Sequence, residues 1–302
     1  MTATVAVIGL GAMGYGAAIS LLKAGHRVMG CDVREEICAK FVLDGGQAVT
    51  SPRLATSDAD AVFIFVVNAA QTEDVLFGEE GIAATLPKRA VVLCCATVPP
   101  SQAERFGERL KEANLLMIDA PVSGGAAKAA VGEMTVMASG SQEAFARAQP
   151  FLNAVASKIY RLGPEPGQGS KVKMINQLLA GVHIAAACEA VALGIRAGIE
   201  LEQLFEVISN SAGSSWMFQN RVPHILSGNY EARSAVDIFV KDLGIVLEAG
   251  KSMTFPLPVA AAAHQIFVAA SGMGYGHEDD SAVVKVYART GNITLPDGAA
   301  AS

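Results

Sequence analysis

Three glycines near the start of the chain constrain its fold more than any other feature. Gly9, Gly11 and Gly14 form a G-x-G-x-x-G pattern between the apolar run Thr4–Ile8 and a helical stretch. In such a turn the first glycine permits a tight bend, the second lets a pyrophosphate approach the backbone, and the third allows close packing of helix on strand. The pattern predicts a dinucleotide bound at a helix N-terminus. The predicted cofactor-binding residues here are Gly9, Leu10, Gly11, Ala12, Met13 and Gly14.

An acidic residue follows the next apolar run, Arg27–Cys31. Asp32 lies 18 residues after Gly14, where a carboxylate can accept hydrogen bonds from the adenosine ribose hydroxyls. The same charge repels a 2′-phosphate, so the sequence favours NAD over NADP, although Arg34 leaves some NADP use open. The alternative is a glycine-rich turn without a ligand, which the combined placement of strand, helix and acid disfavours.

Short apolar runs alternate with helical stretches through the first half of the chain. Continuous apolar runs are typical of strands covered on both faces, and the alternation predicts βαβ units with a parallel sheet. A cluster of Gly and Pro at 163–169 ends this pattern, and only helical stretches follow, the longest being Ser170–Ala197. We therefore predict a Rossmann-type α/β domain over 1–163 and an all-α domain over 164–302, built on a long interdomain helix. The predicted strands are Thr4–Ile8, Arg27–Cys31, Ala61–Val67, Ala90–Cys95, Leu115–Asp119 and Met134–Ala138.

Composition excludes several classes of protein. A net charge of −6 gives no basic field for nucleic acid. The five cysteines and five histidines show no ligand spacing, so we predict reduced thiols and no metal. Mean hydropathy is high at +0.36, but glycines, prolines and polar residues interrupt each uncharged stretch. We expect a cytoplasmic protein with neither a nucleic-acid nor a membrane partner.

Polar residues follow two further predicted strands. Val67 ends one apolar run and Asn68 follows it, and Thr97 follows another run. Because ligands bind outside the carboxyl ends of strands in an open parallel sheet, these residues are candidates to line the cofactor. The alternative is that they satisfy backbone groups of their own loops.

A serine and two glycines follow the strand that ends at Asp119. Ser123, Gly124 and Gly125 offer a hydroxyl and unobstructed backbone N–H groups, which suit a substrate carboxylate. An ordinary Pro/Ser/Gly turn is the alternative, and the residues alone favour it.

Lys173 lies in the first turns of the long predicted helix. Asn176 and Gln177 follow at i+3 and i+4, so the three can share one face. A desolvated lysine favours its neutral amine, which suits it to proton transfer. A surface lysine is the alternative, as for Lys171 nearby.

Two other residues are candidates for a substrate cleft. Lys241, in the pair Lys241-Asp242, could supply a second cation, or belong to a helix face that shows its charges to water. Trp216, the single tryptophan, packs either in a core or over a substrate.

Four motifs together resemble the β-hydroxyacid dehydrogenase family. They are residues 7–14 (VIGLGAMG), 119–125 (DAPVSGG), the Gly169 to Lys173 segment and 241–243 (KDL), in family order and spanning nearly the whole chain. The resemblance implies NAD as cofactor, a small hydroxy-acid substrate, and a homodimer or homotetramer. It also implies Lys173 as the catalytic residue, Ser123-Gly124-Gly125 at the substrate carboxylate, and Thr97 and Lys241 near the nicotinamide.

The sequence departs from most of this family at two places. Gln177 stands where most members carry Asn, and Val67-Asn68 stands where most carry Leu-Pro. Both changes add polar reach, which indicates a more hydroxylated substrate, with Gln177 or Asn176 as its hydrogen-bonding partner. We therefore expect NAD-dependent oxidation of a small polyhydroxy acid. The alternatives are 3-hydroxyisobutyrate or tartronate semialdehyde chemistry, and a non-catalytic nucleotide-binding protein.

Overall fold

A six-stranded parallel sheet forms the centre of the first half of the protein in the computed structural model, which describes residues 2–296. Its strands are β1 (Thr4–Ile8), β2 (Arg27–Cys31), β3 (Gln47–Val49), β4 (Ala61–Ile64), β5 (Val91–Cys94) and β6 (Leu116–Asp119). Their spatial order is β3-β2-β1-β4-β5-β6, and every neighbouring pair is parallel. The order reverses direction between β1 and β4, as in a Rossmann sheet. The predicted fold class is confirmed.

Helices cover both faces of this sheet. Val5 and Val7 of β1 point into one hydrophobic core, while Ala6 and Ile8 point into the core on the other face. This alternation explains the continuous apolar runs within the strands, since side chains leave a strand on alternate sides. The helices of this half are α1 (Ala12–Lys23), α2 (Glu35–Leu43), α3 (Pro52–Ala55), α4 (Ala69–Phe77), α5 (Pro100–Glu112), α6 (Gly125–Ala130) and α7 (Gln142–Val155).

A second, smaller sheet follows β6. It contains β7 (Val122–Ser123), β8 (Met134–Ala138) and β9 (Ala156–Arg161), with β7 antiparallel and β9 parallel to β8. The expectation that Met134–Ala138 belongs to the parallel sheet is therefore wrong. The chain turns after β6, and a bridge between Asp119 and Ser139 is where the end of β6 meets the end of β8.

The second half of the described chain is helical. Its helices are α8 (Gln168–Arg196), α9 (Leu201–Ser209), α10 (Trp216–Leu226), α11 (Val236–Ser252), α12 (Pro258–Ala270) and α13 (Val284–Gly291). A core that includes Ile184, Cys188, Phe239 and Phe267 holds them together. Between residues 174 and 296 the only β pairing is one isolated bridge, Ala235 with Asp279.

By its internal contacts the protein divides into two compact units, Met1–Lys173 and Met174–Ser302. The division falls inside α8, whereas the Gly/Pro cluster at 163–169 leads into the start of that helix. The first turn of α8 belongs with the first unit because side chains of that unit bind its backbone, as described below.

Helix α8 is long and apolar enough to cross a bilayer by length and composition. Its most apolar window has a mean hydropathy of 1.9, and 44% of that window is buried inside the protein. Ile184, Cys188 and Val191 of this helix belong to the helical core. A core helix of a soluble protein passes the same test, so this single helix is weak evidence for a membrane span.

Two adjacent buried carboxylates organise the helical unit. Asp279 accepts hydrogen bonds from His224 Nδ1 (2.9 Å) and from the Ser281 hydroxyl (2.6 Å). Asp280 forms a two-point ion pair with Arg221. Because these contacts join α10 to the segment before α13, they fix the packing of this unit.

We expect the helical unit to lose stability in acid through Asp279. Burial raises the pKa of this carboxyl, but hydrogen bonds from His224 and Ser281 outweigh burial and lower the pKa to about 2. A lowered folded pKa contributes stability above the unfolded pKa, which is lost as pH falls from about 4 to 2. The expected loss in free energy of unfolding is about 2 kcal/mol.

Denaturant titrations between pH 4 and pH 2 measure this loss of stability. Asp279→Asn should flatten the dependence, and Glu202→Gln, an exposed carboxylate of α9, should leave it unchanged.

Candidate active site

The turn after β1 has the geometry of a phosphate cradle. Gly9 has a φ of +89°, and a Cβ there would lie 2.7 Å from the Phe65 carbonyl oxygen. A Cβ at Gly14 would lie 1.9 Å from the Gly9 oxygen, so both positions require glycine, whereas a Cβ at Gly11 meets nothing within 4 Å. Helix α1 begins at Ala12, and no side chain caps its N-terminus. An open backbone at Gly11 beside uncapped helix N–H groups fits a dinucleotide pyrophosphate.

Asp32 is tied directly to this turn. Its carboxylate accepts a hydrogen bond from the Leu10 N–H at 2.8 Å and is paired with Arg34. A pocket of about 430 Å³ lies alongside, lined in part by Leu10, Gly11 and Arg34. Asp32, the predicted partner of the ribose, therefore lies beside the turn that is predicted to bind the phosphates.

Val67 and Asn68 lie at the same edge of the sheet, after β4. Asn68 Oδ1 accepts the Gln71 N–H at 2.9 Å and caps α4, while Gln71 Oε1 accepts the Val67 N–H at 2.8 Å. Asn68 therefore does satisfy a backbone group of its own loop, which was the alternative to cofactor binding. Thr97 follows β5 at this edge and is half-buried. Cofactor contact by these residues stays a prediction.

The Ser123 turn has an unusual backbone. Gly124 and Gly125 have φ values of +125° and +73°, a region that L side chains rarely adopt. A Cβ at Gly125 would meet nothing within 4 Å, so the start of α6 is open. The open space at Gly125 agrees with access of a carboxylate to this turn, and its substrate role stays a prediction.

Asp119 is the residue at this site that sequence reasoning missed. It is buried at the end of β6, and its carboxylate accepts hydrogen bonds from the Gly167 N–H (2.9 Å), the Ser170 N–H (2.8 Å) and the Ser170 hydroxyl (2.7 Å). Ser139 Oγ accepts the Gly169 N–H at 3.0 Å. Burial raises the pKa of Asp119, and the bonds from Ser170 and Gly167 offset part of that rise. Asp119 thus holds the N-terminal N–H groups of α8.

The start of α8 rests directly on the two sheets. A Cβ at Gly169 would lie 2.3 Å from the Met137 oxygen and 2.8 Å from the Asp119 oxygen, so only glycine fits. One turn later, Lys173 is 7% exposed. Lys171 has a side chain that is 46% exposed and pairs with Glu104 at 2.9 Å. The alternative of a surface lysine therefore holds for Lys171 and is wrong for Lys173.

The sequence did contain one signal for Asp119, which is a polar residue at the end of an otherwise apolar strand.

In the helical unit, three of the predicted residues lie in one group of polar contacts around Asp242. Gln177 Nε2 donates to its carboxylate, and Lys241 Nζ lies 2.7 Å from Oδ1. Asn176 Nδ2 in turn donates to Gln177 Oε1 at 2.9 Å. Asp242 is buried, so the expected alternative of a solvent-facing charge pair does not hold for it.

Trp216, at the first position of α10, is 58% exposed, which excludes the alternative that it packs in a core. Among residues 2–296, no three His, Cys, Asp or Glu side chains could hold a metal ion.

Family models match both parts of the chain. Residues 4–163 match the NAD binding domain of 6-phosphogluconate dehydrogenase. Residues 167–287 match the model described as NAD-binding of NADP-dependent 3-hydroxyisobutyrate dehydrogenase. The chain belongs to the β-hydroxyacid dehydrogenase family. It is an NAD-dependent hydroxyacid dehydrogenase, and the predicted family, enzyme class and cofactor are confirmed.

Individual members of this family are similar over almost the full chain. The chain is 58% identical over 287 residues to L-threonate dehydrogenase from Cupriavidus necator, covering 95% of this chain and 97% of that one. It is 51% identical to L-threonate dehydrogenase from Escherichia coli, covering 97% and 96%. A crystal structure of 3-hydroxyisobutyrate dehydrogenase from Salmonella typhimurium has a TM-score of 0.90 at 51% identity, covering 94% and 99%. The similarity therefore includes both units.

Proposed function

We propose that this dehydrogenase oxidises L-threonate to 2-oxo-tetronate. The observation that carries the proposal is the 58% identity, over nearly the full length, to an L-threonate dehydrogenase. Asn68 and Gln177 stand where most of the family carries Pro and Asn, and their amide side chains agree with a hydroxylated substrate. The protein would act in the cytoplasm as a homodimer or homotetramer, without nucleic-acid or membrane partners.

Lys173 carries the proton transfer in this proposal. When bound, NAD supplies the acceptor for the hydride that leaves C2 of the substrate. The Nζ of Lys173 takes the proton of the C2 hydroxyl, and the remaining electron pair forms the C2 carbonyl. Lys173 is buried in the structure, so a proton taken up by its amine would not be exchanged directly with bulk water.

The Ser123 turn anchors the other end of the substrate. The Ser123 hydroxyl and the backbone N–H groups of Gly124 and Gly125 bind the carboxylate, and this fixes which carbon faces Lys173. Residues 1–163 bind the nucleotide in this proposal, and residues 164–302 supply further substrate contacts, among them Gln177, and the oligomer contacts.

A second substrate class competes with L-threonate. The Salmonella typhimurium protein that is 51% identical to this chain is named a 3-hydroxyisobutyrate dehydrogenase. Oxidation of 3-hydroxyisobutyrate, or tartronate semialdehyde chemistry, on the same scaffold is therefore the alternative proposal.

NADH formation by the purified protein tests the substrate. We expect kcat/KM for L-threonate to exceed that for D-threonate, D-erythronate, L-serine, 3-hydroxyisobutyrate and D-glycerate by about tenfold or more, equivalent to about 1.4 kcal/mol. Preference for 3-hydroxyisobutyrate would overturn the L-threonate proposal and leave the roles of Lys173 and Ser123 intact. No turnover of any acid by a protein that still binds NADH would favour a non-catalytic nucleotide-binding protein.

A further inference from the structure

Every acceptor position of the Asp32 carboxylate is occupied in this structure. Oδ1 accepts from the Arg34 backbone N–H (3.0 Å) and from Arg34 Nε (2.9 Å). Oδ2 accepts from the Leu10 N–H (2.8 Å) and from Arg34 Nη2 (2.9 Å). A carboxylate offers about four acceptor positions, so a ribose cannot bind Asp32 unless a donor leaves.

Only the guanidinium of Arg34 is free to leave. The Leu10 and Arg34 N–H groups belong to the backbone, at the phosphate turn and at the start of α2 respectively. The Arg34 side chain is 49% exposed, against 6% for Asp32. The guanidinium can therefore turn out to water, whereas the buried carboxylate stays in place. Withdrawal of the guanidinium frees one acceptor position on each oxygen, which equals the two donors of a ribose diol.

The same arginine changes how the site treats a 2′-phosphate. Although burial opposes ionisation, hydrogen bonds from Arg34 and Leu10 hold the pKa of Asp32 below its ordinary value. The carboxylate is therefore charged, and Arg34 neutralises it. A guanidinium is also a strong phosphate ligand. Arg34 and Lys40 line the same pocket of about 430 Å³ as Leu10 and Gly11, which leaves room for an anion beside Arg34.

We propose that Arg34 sets the cofactor selectivity of this site by competing with the adenosine ribose for Asp32. The guanidinium weakens binding of NAD, because it must be displaced, and favours NADP, because it offsets the Asp32 charge and can bind the 2′-phosphate. Asp32 alone would discriminate more strongly between the two cofactors. This inference rests on the NAD site and not on the identity of the hydroxy acid.

Equilibrium dissociation constants for NAD and NADP, measured by titration calorimetry without any hydroxy acid, test this role. For Arg34→Ala we expect NAD to bind about two- to fivefold more tightly and NADP about tenfold more weakly. Arg34→Lys keeps the charge without the two-point geometry, so its NADP affinity should lie between those of the wild type and Arg34→Ala. The matched control is Arg53→Ala, a partly exposed arginine of α3 that pairs with Glu80. Neither constant should change in that variant.

An Asp32→Ala background isolates the competition. Without Asp32, adding Arg34→Ala should no longer strengthen NAD binding, while NADP binding should still weaken. Equal changes in both constants on Arg34→Ala, or no change in either, would overturn the proposal. Since no hydroxy acid is present, absence of L-threonate turnover would contradict the proposed substrate without affecting this result.

Discussion

Lys173→Met should lower kcat for the preferred hydroxy acid by about 10²- to 10⁴-fold, the range that a positioned acid/base group contributes. NADH affinity should stay within about twofold of wild type. Methionine retains the buried methylene chain of Lys173, so packing is largely preserved while the amine that accepts the hydroxyl proton is lost. Single-turnover kinetics and a separate NADH titration measure the two effects.

Lys171 provides the matched control on the same helix turn. Its side chain is half-exposed and paired with Glu104, and exposed ion pairs of this kind contribute about 1 kcal/mol at most. Lys171→Met should therefore leave kcat within about twofold of wild type. A Lys173→Met protein that retained a tenth of wild-type kcat, a change of only about 1.4 kcal/mol, would contradict the assignment of proton transfer to Lys173.

The parts of the fold that could be predicted are those set by local pattern. Thr4–Ile8 and Arg27–Cys31 are strands with the predicted bounds, because both faces of the sheet are covered and the residues after the first position of each strand are apolar or glycine. Strand β9, Ala156–Arg161, was missed because only its first residue is buried and its polar side chains give no strand pattern. β3 is only three residues long, too short for periodicity to register.

The site was predictable to the extent that its residues form motifs. The spacing of Gly9, Gly11, Gly14 and Asp32 indicates a nucleotide because each has a fixed role in one turn. Asp119 gave only a weak signal, since its partners Gly167 and Ser170 lie 48 and 51 residues away. Asp242 was likewise missed as the centre that joins Gln177 to Lys241, because 65 residues separate it from Gln177. Long-range polar contacts of this kind leave no periodicity in the sequence.

Asp119→Ala should destabilise the first unit and reduce kcat together. The change leaves the N–H groups of Gly167 and Ser170 and the Ser170 hydroxyl without the acceptor that now binds them. Each buried polar group left unsatisfied costs about 1–3 kcal/mol, and we expect a total loss of about 3–5 kcal/mol in the free energy of unfolding. Thermal and denaturant unfolding measure this loss.

A positioning role for Asp119 predicts more than lost stability. Lys173 lies on α8 three residues after Ser170, so a shift of about 1 Å in the first turn of this helix should cost up to about a hundredfold in kcat. This loss should persist well below the melting temperature, with NADH affinity unchanged. Asp119→Asn should restore much of kcat, because the amide oxygen can still accept the two N–H groups while the amide nitrogen donates to the Ser170 hydroxyl.

The control for Asp119 is Asp60→Asn. Asp60 is exposed and also accepts a backbone N–H, that of Thr4 at 3.0 Å, at the start of β1. Water can replace that bond, so both kcat and stability should change little. A folded Asp119→Ala protein with wild-type kcat would show that Lys173 is positioned without this carboxylate. Equal losses of kcat in the Ala and Asn variants would show that the negative charge of Asp119, and not its hydrogen bonds, is what α8 requires.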